Sequence, residues 1–208
     1  MPSIVIRRIE HECPPYDVLV VGAGHAGYEA ALASARLGVR TGLVTIDLRT
    51  AARLSCNPSV GGMAKSHIVS ELDAVGGEIA RNTDYTGIQF RTLNTRKGPA
   101  DQANRAQCDK DAFPRRLIAV LARQSNLDLI EAVVQRLWIE SGRLRGVTLG
   151  DGSRLRSKTV VLTTGTFLNG TIYIGKRAFP GGRLDEQAAV ELSRSLLETG
   201  FRIGRLKT

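Results

Sequence analysis

The stretch YDVLVVGAGHAGYEAALASARLGVRTGLVT, residues 16–45, constrains the fold more than any other part of the chain. Its first six residues are an apolar run rich in β-branched side chains, which reads as a buried strand. The chain then enters Gly22-Ala23-Gly24-His25-Ala26-Gly27, followed by helix formers up to Gly38 and a second apolar run over 39–45. Strand, glycine turn, helix and strand make a βαβ unit, with Gly38 as the helix C-cap. Gly22, Gly24 and Gly27 match G-x-G-x-x-G. In that pattern the first glycine permits the tight turn and the second lets backbone approach a pyrophosphate. The third allows close packing of helix on strand, and the helix N-terminus faces the phosphates. The six residues Gly22, Ala23, Gly24, His25, Ala26 and Gly27 are therefore the candidate dinucleotide cradle. Asp47, twenty residues beyond Gly27, stands where an acid can take ribose hydroxyls. The competing readings are a tight turn without a ligand and, for Asp47, a surface loop acid.

The rest of the chain fits an α/β domain with a parallel, Rossmann-like sheet and flanking helices. Residues 54–98 are glycine-rich and polar, with one helix expected at about 62–75. RAQCDKDAF and RRLIAVLARQ carry helical spacing between 105 and 124, and Pro114 predicts a kink or two helices there. LDLIEAVVQRLWIE, GRLRGVTLGDGSRLRSK and TVVLTTG read as strands, turned at Ser141-Gly142 and Asp151-Gly152 into a hairpin meander. LDEQAAVELSRSLLETG, residues 184–200, reads as a helix closed by Gly200. There is no internal repeat.

With 208 residues, 42% hydrophobic and 24% charged, the composition is that of a globular protein, and no apolar run reaches membrane-spanning length. The leader MPSIVIRRIE lacks the cleavage pattern of a secretory signal. Three cysteines, Cys13, Cys56 and Cys108, are odd in number and widely spaced. That excludes a disulfide framework, and no Cys/His pair has metal-ligand spacing, so no metal is expected. A reducing compartment, the cytoplasm, follows (mitochondrial if the source is eukaryotic). A net charge of +9 fits a polyanion partner as well as it fits a merely basic surface. Aromatic content of 5% advertises no base-stacking platform.

Cys56 stands in LSCNPSVGGMAKSH, beside a proline turn and a double glycine. On the residues alone a buried small hydrophobe is the simpler reading. The alternative is a reactive thiolate, its pKa depressed by a helix N-terminus beginning near Gly61-Gly62 and by Lys65. Pro58 would then fix the turn, and the glycines would let a ligand approach the backbone. Cys13 and Cys108 read as structural, the latter within a helix. Arg96, Lys97 and Arg105 suit phosphate contact or a solvated basic loop equally.

A meander followed by a buried strand ending in Thr-Thr-Gly resembles the second signature of two-dinucleotide-binding flavoproteins. That resemblance makes Thr163, Thr164 and Gly165 expected neighbours of FAD. A wider one rests on VVGAGHAGYEAA, SCNPSVGGMAKSHIVSELDAVGG, GIQFRTLNTRKGPA, RAQCD, LTTGTFLNGTIYIG, GGR and GFRIGRLKT. From Tyr16 onward the chain resembles the N-terminal part of the glucose-inhibited-division-protein-A family. That family is the flavoprotein subunit installing a 5-carboxymethylaminomethyl group on the wobble uridine of tRNA. The resemblance implies FAD, with NAD(P)H and methylene-tetrahydrofolate as co-reactants and a glycine or ammonium donor. It also implies tRNA, a partner GTPase and a homodimer, and no membrane. The flavin is implied to relay the folate carbon to uracil C5. The family's catalytic cysteine maps onto Cys56, its FAD turn onto Gly22–Gly27, and an FAD-contacting valine onto Val134. Ala189 replaces a family serine near FAD.

The chain departs from that pattern at Pro114, at ADQANRAQCD, and after Thr208, where family members continue. Residues 1–15 are expected to form a leader and 16–208 an incomplete FAD-binding domain, inactive by itself. Three alternatives stand beside this reading. A generic FAD/NAD disulfide reductase wants a CxxxxC pair, and Cys56 has no such neighbour. A folate-dependent tRNA uridine methylase of the same fold would lack SCNPSVGG. A non-catalytic FAD- or RNA-binding remnant is excluded by no sequence feature.

Overall fold

The computed structural model describes residues 14–54, 57–182 and 189–206. The expected opening unit forms as β1 (Tyr16–Val21), α1 (His25–Arg36) and β2 (Thr41–Thr45). Helix α1 ends as the glycine predicts: Gly38 takes φ +86° and its N–H donates to Ala35 O at 3.0 Å. The chain continues through β3 (Ser59–Gly61), α2 (Lys65–Ala74), α3 (Ile79–Thr86), β4 (Gly87–Leu93), β5 (Ala103–Cys108) and α4 (Ala112–Arg123). Next come β6 (Leu127–Glu131), β7 (Val134–Glu140), β8 (Arg143–Leu149) and β9 (Arg154–Leu162). A hairpin of β10 (Thr171–Ile174) and β11 (Arg177–Pro180) precedes α5 (Val190–Glu198).

The main sheet has the order β6-β2-β1-β9-β8-β7. Its first four strands are parallel, while β8 is antiparallel to both β7 and β9. Strand β9 does two jobs in nine residues. Arg154–Arg156 pair with β8, and from Ser157 to Leu162 the strand pairs with β1. The meander thus hands the chain back to the parallel sheet, next to the strand that feeds the glycine turn. Alternate residues face opposite layers. Leu43 and Leu129 join Tyr28, Leu32, Phe113, Leu117 and Leu121 under α1 and α4. Their neighbours Val44 and Ile130 join Leu19, Val21, Val147, Leu149 and Leu192 on the other face.

The middle of the chain differs from expectation. Residues 59–108 build a separate antiparallel sheet, β3-β5-β4, and α3 follows α2. The helical spacing of RAQCDKDAF is not used, because Arg105, Ala106, Gln107 and Cys108 lie in β5, between β3 and β4. Cys108 is therefore in a strand. Pro114 kinks nothing, since it is the third residue of α4, in the first turn, where its missing N–H has no intrahelical partner. Asp109 Oδ1 accepts from the N–H groups of Asp111 and Ala112 at 2.9 and 2.8 Å and so fixes that start. The expected helix at 62–75 begins at Lys65, after Ser59–Gly61 have paired as a strand. Of the helix expected over 184–200, α5 covers Val190–Glu198, and 183–188 lie outside the described residues. The expected leader is likewise outside them, apart from Pro14 and Pro15. Among the described residues, no helix is long and apolar enough to cross a membrane.

Candidate functional site

Strand β1 is flanked by β2 on one side and β9 on the other, so the connections leave it in opposite directions. In a parallel sheet that switch point, at the strands' C-terminal ends, is where a ligand crevice opens. The glycine turn lies there. Gly22 takes φ +104° and donates its N–H to Val44 O at 2.8 Å. A side chain at Gly22 would place its Cβ 2.5 Å from Thr163 O. At Gly27 the Cβ would fall 1.7 Å from Gly22 O and 2.7 Å from Thr163 Oγ1. Those two glycines are required by the protein's own packing.

Gly24 is different. Its backbone is extended (φ −73°, ψ −173°), which any residue adopts, and no described atom lies within 4 Å of where a Cβ would stand. The space beside it opens at the N-terminus of the 12-residue helix α1, whose first turn has neither a side-chain cap nor an acid. The first N–H groups of that helix point outward without an intrahelical acceptor, an anion-binding arrangement. Around it, Ala23 is buried and its carbonyl accepts from Ala52 N at 2.8 Å, while Ala26 is exposed. The His25 ring packs 5.7 Å from Tyr28 and 6.1 Å from Phe113, centre to centre, so the imidazole is held against the core. The residues present fit a dinucleotide pyrophosphate.

The second flank of the crevice comes from β9. Thr163 N donates to Val21 O at 2.9 Å, continuing the β1–β9 pairing. Thr164 is half-buried and opens a short 3-10 turn. Gly165 has φ +55°, is exposed, and has no described atom within 4 Å of its absent side chain. Gly165 and Gly24 thus leave both loops bare at the same end of the sheet.

Asp47 follows the end of β2, as expected, but its carboxylate is already engaged. Oδ1 accepts from Arg49 N at 2.8 Å and Arg49 Nε at 3.0 Å, and Oδ2 from Arg49 Nη2 at 2.9 Å. The Arg49 hydrogen bonds hold the acid below the usual carboxylate range. Val134 opens β7, and its side chain is buried in the second core. Ala189 donates its N–H to Phe167 O at 2.8 Å just before α5.

Cys56 lies outside the described residues, and so does Ser55. The flanking segment is described from Asn57 onward. Pro58 O accepts from Cys108 N at 2.7 Å. Gly61 and Gly62 have φ +94° and +103°. Gly61 is bare because a Cβ would lie 2.1 Å from Asn104 O on the neighbouring strand, so strand packing explains it. Gly62 has open space. Between this sheet and helices α2 and α3 lies a cavity of about 410 Å³, lined among others by Val60, Ser66, Val69, Thr83, Phe90 and Ala106.

Sequence reasoning missed two features. The Thr163 hydroxyl lies 2.9 Å from Val21 O and 3.0 Å from Gly22 O. Glu29, a buried acid on the core side of α1, closes the start of α3. Its signal was an acid set among Tyr28, Ala31 and Leu32.

Comparisons with known proteins agree with this geometry. The family model described as Glucose inhibited division protein A matches residues 17–208. The chain is 55% identical over 193 residues to the tRNA uridine 5-carboxymethylaminomethyl modification enzyme MnmG of Pelobacter propionicus, covering 93% of this chain and 31% of that protein. It superposes on the crystal structure of Aquifex aeolicus GidA with TM-score 0.86 and 44% identity, covering 91% of this chain and 31% of that one. The GidA-related protein of Thermus thermophilus gives TM-score 0.66 at 28% identity, covering 91% and 70%. The chain spans about a third of the length of the curated relatives it matches.

Proposed function

The chain belongs to the glucose inhibited division protein A family, and from that premise we propose that it is the FAD-binding part of a tRNA uridine-modifying enzyme. The observation that carries the flavin half is Gly24, a glycine that neither its backbone angles nor its neighbours require, at an uncapped helix start. The tRNA half is supported by what the relatives' names state. In this reading the N–H groups at the start of α1 bind the pyrophosphate. Gly24 and Gly165 let it approach, and Gly22, Ala23, His25, Ala26, Gly27 and Thr164 shape the walls. Val134 supports the sheet beneath. Asp47 serves the adenosine ribose if Arg49 releases it. FAD, when bound, would relay the folate one-carbon unit to uracil C5, with a nicotinamide as the reductant.

Cys56 is the proposed nucleophile. Its thiolate adds to C6 of uracil, the C5–C6 π pair moves toward O4 as an enolate, and C5 becomes nucleophilic. Loss of the C5 proton after the new bond forms expels the thiolate and restores the ring. Methylene-tetrahydrofolate as carbon donor, a glycine or ammonium donor, NAD(P)H, a GTPase partner and a homodimer complete the proposal, in the cytoplasm.

The test is the visible absorbance of the purified protein, with and without Gly24→Val. The wild type is expected to carry bound flavin. The variant is expected to lose it while keeping its fold, because the new side chain enters the ligand's space only. A Val variant with wild-type flavin content overturns the assignment.

A further inference from the structure

We propose that Thr163 is a positioning residue that holds the glycine turn in its ligand-ready shape before any dinucleotide arrives; the flavin part of this rests on the reading above. Four distances converge on its side-chain oxygen. Oγ1 stands 2.9 Å from Val21 O and 3.0 Å from Gly22 O, so its one proton serves the last carbonyl of β1 and the first of the turn. The same oxygen is 2.7 Å from the position of an absent Gly27 Cβ and 3.3 Å from that of Gly22. The backbone N–H of Thr163 also donates to Val21 O at 2.9 Å. The hydroxyl therefore fills the space that the first and third glycines vacate.

This gives those two glycines a specific counterpart. A turn that leaves a strand at φ +104° directs its carbonyl away from the sheet ladder, where it needs a donor. Helix α1 cannot supply one, because its own first N–H groups point outward. The donor comes instead from β9, which β8 and β1 hold from its two ends. With Val21 O and Gly22 O satisfied by Thr163, the N–H groups of the turn and helix start stay aimed at the crevice. A ligand that finds them so aimed pays less ordering cost on binding. In this role Thr163 acts through the turn, its hydroxyl directed at Val21 O and Gly22 O.

The test pairs Thr163→Val, which keeps the shape and removes the donor, with Thr163→Ser, which keeps the donor. Hydrogen exchange of the segment 21–28 is followed by mass spectrometry without ligand, and FAD affinity is titrated by fluorescence. Thr163→Val is expected to speed exchange in 21–28 at least tenfold, with β6 and β7 unchanged, and to weaken FAD at least tenfold. Thr163→Ser is expected to restore both. Should the Val variant not fold, Thr163→Cys, with similar size and a weaker donor, carries the same comparison. Wild-type exchange in 21–28 for the donor-deficient variant overturns the clamp. If the wild-type protein takes up no FAD, the flavin reading falls, and exchange alone decides the clamp.

Discussion

Glu29 Oε1 lies 2.6 Å from the backbone nitrogen of Ile79, so a carboxylate on the dinucleotide helix α1 closes the N-terminus of α3. The Glu78 N–H donates to both oxygens of the same carboxylate, at 3.0 and 3.1 Å. Both Glu29 and Glu78 are buried, so removing the acceptor would leave two N–H groups desolvated and unpaired. Glu29→Ala is expected to cost about 3 kcal/mol and Glu29→Gln about 1 kcal/mol, because the amide oxygen still accepts. Urea unfolding midpoints measure both. A Glu29→Ala loss below the Gln value would show that the α1–α3 join does not depend on this acceptor.

Glu78 sets an acid limit to the fold. Burial pushes its pKa up, but Arg36 and Arg116, at 2.8 and 2.9 Å, outweigh that and hold it below the ordinary glutamate value of 4.5. A carboxyl with a lowered folded-state pKa contributes stability that is fully present above the unfolded value. That contribution is lost as pH falls through the folded one. Burial drives Glu29 the other way, above 4.5, so its contribution is present in acid and lost as pH rises past its folded value. Stability measured from pH 7 down to 3 should fall more gently in Glu78→Gln than in the wild type. An unchanged acid limb would remove Glu78 from the cause.

Legibility followed local physics. β1, α1, β2 and the β7–β9 meander could be read because their apolar periods are unbroken and glycines mark their ends. Ser141 and Gly142, at φ +50° and +72°, form the two-residue hairpin turn that the dipeptide suggests. Strand β4 could not be read. Five of its seven residues are exposed, including Ile88 and Phe90, so no alternation marks a buried face. β5 buries only small residues, Ala103, Ala106 and Cys108, and the three-residue step from 103 to 106 breaks the period of two. Pro114 misled because a helix start set by Asp109 looks, in sequence, like an interrupted helix. In the site, the three glycines were legible as a pattern. Their division into two required by packing and one required by nothing in the protein depends on the folded contacts, the Gly22 carbonyl against Gly27 and Thr163, far away in sequence, against both. Arg49, two residues from Asp47, shows that an acid at the expected spacing can already have a partner.

The two cysteines with proposed roles should differ in reactivity. Cys108 is 1% exposed, and burial pushes its thiol above the usual range, against weaker help from the Thr86 and Thr83 hydroxyls. The thiolate is the reactive form, so Cys108 is expected to resist iodoacetamide until the protein unfolds, while Cys56 alkylates in the native state. Peptide mass spectrometry after timed quenching assigns the sites. Native Cys108 reacting as fast as Cys56 would contradict its burial. Inert native Cys56 would sink the nucleophile proposal.

The basic charge should be felt by RNA. Strand register places Arg91 directly opposite Arg105, and the loop between their strands carries Arg96 and Lys97. None of the four makes an ion pair with another described residue. Facing like charges on neighbouring strands repel, and a phosphate backbone is the natural counter-charge. The 208-residue chain, with its net charge of +9, is expected to bind tRNA weakly and without regard to sequence. Affinity should fall linearly in log–log terms as salt rises. Changing both Arg91 and Arg105 to Glu should weaken binding uniformly across tRNAs and flatten the slope by roughly 0.7–0.9 for each cation that met a phosphate. Filter binding between low and physiological salt measures the slope, beside a modification assay with NADH, methylene-tetrahydrofolate, glycine and a GTPase. The expected outcome is binding without turnover. An unchanged slope in the double variant would place the RNA contact elsewhere on the surface, and turnover would mean that the 208 residues already hold the complete reaction centre.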